Sequence, residues 1–192
     1  MVRMARTGLG LLSCLFLLVC WGCGGSAVKT ESGSLYTRYN LHYVAQKGNN
    51  VASYANFTDY PGHSFLPYNT EVEAKYWKRG FRIIAADTGK VILFTYKSKN
   101  MGGMRGSDYL DLILSPAPVS YTGLTAEDEQ GIQQGKALVG MTKQGVMIAL
   151  GYPAKHYTPS LEEDTWAYWK GRLGEPRRVQ FDGSGKVISI TN

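Results

Sequence analysis

The chain has 192 residues, with 21 Lys+Arg against 15 Asp+Glu and a net charge of +6. Its 44% hydrophobic and 19% charged content excludes a disordered or collagen-like chain. A single long apolar run excludes a polytopic membrane protein. Cys14, Cys20 and Cys23 are the only cysteines, so the body of the chain can hold neither a cysteine zinc site nor a disulfide framework.

Arg3 and Arg6 precede an apolar run from Gly8 to Cys20, followed by the small residues Gly22 to Ala27. This is the layout of a secretory signal. The uncharged stretch Thr7 to Val28 is long enough for a transmembrane anchor, but its last third is Gly, Ser, Cys and Trp rather than aliphatic. Cys23, between Gly22 and Gly24-Gly25-Ser26, resembles the lipobox of bacterial lipoproteins. That resemblance implies a signal peptide over 1–22 and lipidation at Cys23, with residues 23–34 as a polar tether. Gly24, where inner-membrane lipoproteins carry Asp, implies the periplasmic face of the outer membrane. Ordinary cleavage near Ala27, giving a periplasmic or secreted protein, is the rival reading.

The next segment, 35–115, reads as a mainly β module. Tyr36 to Val44 is rich in Tyr, Leu and Val. Val72, Ala74 and Tyr76 alternate with Glu71, Glu73 and Lys75, the pattern of a half-buried strand. Phe81–Ala85 and Val91–Tyr96 read as strands joined by the turn Ala86–Lys90, and Ser107–Leu114 as a short helix. Short strands with frequent turns suggest a small barrel or curled sheet. Pro116 and Pro118 break the chain, and 116–122 reads as a linker.

Thr125 is a cap for a helix over Ala126–Gln134, with Glu127, Asp128 and Glu129 in its first turn. Thr142 caps a second helix, Lys143–Leu150, which Gly151 and Pro153 end. Thr165–Lys170, Arg177–Phe181 and Lys186–Ile190 read as strands, the last two joined by Asp182-Gly183-Ser184-Gly185.

Four pieces of this region occur in a fixed order. They are Gly140-Met141-Thr142, Leu150-Gly151-Tyr152-Pro153, Trp166-Ala167-Tyr168, and Val179-Gln180-Phe181 with Gly185-Lys186-Val187. Together they resemble the SmpA/OmlA (BamE-like) domain over 123–192. The resemblance implies a C-terminal two-helix plus three-stranded antiparallel sheet; with the mainly β small barrel-like module read before it, the expected fold class is α+β. The resemblance further implies a non-catalytic envelope lipoprotein, an adaptor or accessory factor in outer-membrane β-barrel protein assembly or envelope maintenance. Its partners would be other envelope proteins, barrel-assembly components among them. The related fold also occurs in secreted β-lactamase inhibitors, so a secreted periplasmic binding module docking on a soluble protein is the alternative.

The residues themselves offer little catalytic chemistry. His42, His63 and His156 lack metal-ligand spacing, and no nucleophile elbow or phosphate loop is present. No catalytic residue, metal or cofactor is expected. Tyr152, Tyr157 and Trp169, on or beside the loop after the second helix, are the expected partner-binding residues. Lys75, Lys78, Arg79, Arg82, Lys97 and Lys99 belong to a basic run whose one acidic residue between 75 and 105 is Asp87. They are candidates for binding an anionic surface such as lipid head groups, since a secreted protein does not meet chromosomal nucleic acid. Lysines that solubilise strand edges are the plainer reading.

Overall fold

The computed structural model describes residues 34–53, 61–77, 79–169 and 175–191. The expected signal peptide, Cys23 with nearly all of the tether, and Lys78 lie outside the described residues. Ser32–Asn192 form one compact unit.

Eight strands make the larger sheet: β1 Leu35–Thr37, β2 Leu41–Gln46, β3 Asn49–Ala52, β4 His63–Leu66, β5 Glu71–Trp77, β6 Gly80–Ala85, β7 Val91–Thr95 and β8 Leu114–Ser115. Their order is β4-β2-β3-β7-β6-β5-β1-β8. Neighbours are antiparallel except β3 and β7, which run parallel. The sheet is curled into a half-barrel. Alternation sets its faces. Val72 and Ala74 of β5, Phe81, Ile83 and Ala85 of β6, and Ile92 and Phe94 of β7 are buried in one cluster. A helix, α1 (Gly106–Ile113), adds Tyr109 and Ile113 to it. Tyr109 stands 4.8 Å from Tyr96 and 5.5 Å from Phe94, ring centre to ring centre.

The second cluster gathers α2 (Ala126–Gln134), α3 (Lys143–Leu150) and the sheet β11-β10-β9, made of β9 Thr165–Tyr168, β10 Arg177–Phe181 and β11 Val187–Thr191. Thr125 and Asp128 form a capping box at the start of α2, and the Thr142 hydroxyl caps α3 by accepting from Gly145 N–H.

The expected fold class is corrected. The chain is mostly β: among the described residues there are eleven strands against three α-helices, and the eight-stranded curled sheet dominates. It does not show the BamE-like C-terminal layout of two helices on a three-stranded sheet. The helices instead serve as cover for the larger sheet as well. His42 and Val44 alternate with Tyr43 along β2, so they leave the sheet on the face opposite to it. Tyr43 joins the first cluster, while His42 donates from Nε2 to the Ala149 carbonyl of α3 at 2.7 Å. Asn40 donates from its backbone to Ile148 O at 2.9 Å and from Nδ2 to Ile132 O of α2 at 2.7 Å. The physical reason is that both faces of β2 are buried. Residues 123–192 supply the second cover, which the sequence of that segment taken alone does not reveal.

Candidate functional site

Three features could host function, and size and charge separate them. A cavity of about 40 Å³ lies beside Asn40, His42 and Tyr109. It holds a few waters at most, too little for an organic ligand.

The second is an open groove of about 350 Å³ alongside α3. The helix turns Lys143, Gln144 and Met147 to it, at the i, i+1, i+4 spacing of one face. Tyr39, Tyr121, Tyr152, Leu161 and Trp166 complete the wall. Tyr39 and Tyr152 meet edge-to-face at 5.6 Å. Burial, reinforced by the neighbouring Tyr152 and Tyr121 hydroxyls, pushes the Tyr39 phenol well above its ordinary value. Tyr121 is raised too, mainly by burial. These rings therefore present neutral hydroxyls over an apolar floor.

Lys143 organises one rim. Its Nζ donates to Leu161 O at 3.3 Å and Glu162 O at 3.1 Å. It also stands over the Trp166 and Phe181 rings at 5.9 and 5.4 Å. The loop after α3 is thereby tied to the helix start. Trp166 itself is buried, with Nε1 donating to Leu161 O at 3.1 Å.

The third feature is the outward face of β5, β6, β7 and β3. Lys75 on β5 is registered with Arg82 on β6, and Arg82 with Leu93 on β7. Arg79 sits in the β5–β6 turn, and its carbonyl accepts from Tyr96 N–H at the end of β7. Lys97 and Lys99 follow directly, so five of the six expected basic residues are exposed around one end and one face of the sheet. Lys75 is paired with Glu73 at 2.7 Å.

The expected partner-binding residues are not brought together in one place. Tyr152 lines the α3 groove. Tyr157 and Trp169 instead flank His156, whose ring lies 4.2 Å from Tyr157 and 6.3 Å from Trp169, and Trp169 packs against the first cluster. Tyr39, Tyr121 and Lys143 were missed as groove residues. Lys143 and Met147 carry a signal, their i,i+4 spacing on one helix. Tyr39 and Tyr121 carry none, since they reach the groove from loops far away in sequence.

His42 and His63 form a hydrogen-bonded pair, His42 Nδ1 to His63 Nε2 at 2.8 Å. Because His42 Nε2–H is given to the Ala149 carbonyl, a neutral His42 accepts at Nδ1 from His63. Among the described residues no group of three His, Cys, Asp or Glu is placed to hold a metal ion, and no helix is long and apolar enough to cross a membrane.

The chain matches no known protein-family model, no curated protein and no solved structure.

Proposed function

We propose that this chain is a non-catalytic lipoprotein of the bacterial outer membrane that acts as an adaptor in envelope assembly or maintenance. Anchoring would run through Cys23, and contact with another envelope protein through the α3 groove. The observation that carries the reading is the groove itself. It is open, lined by Tyr39, Tyr121, Tyr152 and Met147, and its rim is fixed by Lys143. Its volume, about 350 Å³, lies at the small end of ligand sites and suits a few apolar side chains of a partner segment. Tyrosines and a methionine are the residue types enriched in such contacts.

Two measurements test it. A photoactivatable residue at Gln144, exposed on the groove rim, should crosslink to a defined envelope protein in intact cells, and Met147→Glu should abolish that product. Labelling with palmitate should mark the wild-type chain and not Cys23→Ala. A soluble periplasmic partner together with absence of lipid would overturn the reading in favour of a secreted binding module.

A further inference from the structure

A hollow of about 330 Å³ opens on the outward face of the large sheet, away from the α3 groove. Its walls are Trp77 and Arg82, its floor Val91 and Leu93, and its far rim Asn49 and Asn50 on β3. The register explains why it exists. Trp77 is paired with Gly80, and Gly80 with Thr95, so the position beside the indole carries no side chain. Gly80 is required there. Its φ is +150°, and a Cβ would fall 2.1 Å from the Phe94 carbonyl oxygen.

The charge around this hollow is one-sided. Lys75, Arg79 and Arg82 lie along β5 and β6, and exposed Lys47 tops the β2–β3 hairpin. Glu73 is the acidic residue on the same stretch of β5 outside the strand start, and Lys75 holds it. Among the described residues neither Arg79 nor Arg82 is in an ion pair. A guanidinium offers paired donors to a carboxylate or phosphate. An indole that is 37% exposed offers a flat apolar wall. The asparagine rim offers amide groups to hydroxyls.

We infer that this hollow binds a saccharide carrying a phosphate or carboxylate group, with the sugar ring against Trp77 and the anion on Arg82. A bilayer surface fits less well, because Asn49 and Asn50 line the hollow opposite Trp77 and offer amides suited to hydroxyls rather than to acyl chains. The inference is independent of the groove proposed above and stands on other residues.

The full chain, kept in a zwitterionic detergent, is titrated with glucose 6-phosphate, glucose and inorganic phosphate by calorimetry. Glucose 6-phosphate should bind saturably, and the two fragments at least about tenfold more weakly. Trp77→Ala and Arg82→Gln should each weaken glucose 6-phosphate by about tenfold or more, with Trp77→Phe between them and the wild type. Gln130→Ala, exposed on α2 and away from the hollow, should leave the affinity unchanged. Should Trp77→Ala fail to fold, Arg82→Gln and Trp77→Phe carry the test. Equal binding of inorganic phosphate would reduce the site to a plain anion site and overturn the proposal. So would absence of binding, or capture by phosphatidylglycerol vesicles that needs Arg82 while glucose 6-phosphate does not bind.

Discussion

Asp128 holds Thr142 through both carboxylate oxygens. Oδ1 accepts from Thr142 N–H at 2.7 Å, and Oδ2 from the Thr142 hydroxyl at 3.0 Å. The same carboxylate accepts from Thr125 N–H at 3.0 Å. One fully buried acid thus serves the N-terminal ends of both α2 and α3, where helix dipoles favour negative charge. The helices come close enough for this because Gly145 bears no side chain. A Cβ there would lie 1.9 Å from Asp128 Oδ1.

Gly145→Ala should therefore destabilise the fold by about 2–3 kcal/mol, the cost of overpacking a site that cannot yield. Asp128→Asn keeps the volume but loses charged acceptor capacity, and should cost about 1–3 kcal/mol. Urea denaturation followed by circular dichroism reads both. A Gly145→Ala variant as stable as the wild type would show that the contact between α2 and α3 is looser than described.

Asn40 is the second junction. Its side chain donates to Ile132 O and accepts from Tyr68 N–H at 3.0 Å. Its backbone N–H donates to Ile148 O. Asn40→Ala leaves the buried Ile132 carbonyl and Tyr68 amide without these partners, and the expected loss is about 2–3 kcal/mol. Amide hydrogen exchange at Tyr68 should accelerate in this variant and in no variant of the basic face.

Burial lowers the His42 pKa from its ordinary 6.5 to about 4. The nearby His63 adds to this, while the bond to the Ala149 carbonyl opposes it. The unfolded chain takes up this proton below about pH 6.5, and the folded chain resists until about pH 4. Stability from this group is thus complete above 6.5 and is lost as pH falls through the window to 4. The full loss is about 3 kcal/mol, from the size of the shift. The urea midpoint should drop between about pH 7.5 and about pH 5, and His42→Gln should flatten that drop. An unchanged slope in the variant would move the titration to another group.

Lys143→Ala removes the tie to Leu161 O and Glu162 O and the contact with two rings. The cost to global stability should be modest, about 1 kcal/mol. The local effect should be larger, since the loop between α3 and β9 loses its clasp. Limited proteolysis should cut within residues 155–164 several-fold faster than in the wild type. Equal cutting rates would show that Trp166 Nε1, donating to Leu161 O, suffices to hold the loop.

Much of the local structure was legible from residues alone. Thr125 and Thr142 are caps because a hydroxyl placed before an apolar-periodic run satisfies free helix N–H groups. The alternation from Glu71 to Lys75 placed Val72 and Ala74 inward. The basic run was legible as charge, but Trp77 beside Gly80 was not legible as a hollow, because strand register decides which residue stands opposite a glycine. Tyr152 was found on its loop. Its partner Tyr39 comes from another part of the chain, and no local pattern links them.

By itself the sequence determined where α2 and α3 begin and end and that Val72 and Ala74 of β5 face inward; β3 and β4 were not read from it, and Tyr76, on the same alternation, is 56% exposed. The helix ends and the inward pair depend on spacing over a few residues and on backbone chemistry at threonine, glycine and proline. Only the tertiary structure decided how the segments share their faces. Both sides of β2 are buried from His42 to Val44, and α2 and α3 accept hydrogen bonds from Asn40 and His42 as well as serving their own sheet. That joint use of two helices overrules the separate C-terminal layer domain, because burial is settled between distant segments and not within any one of them.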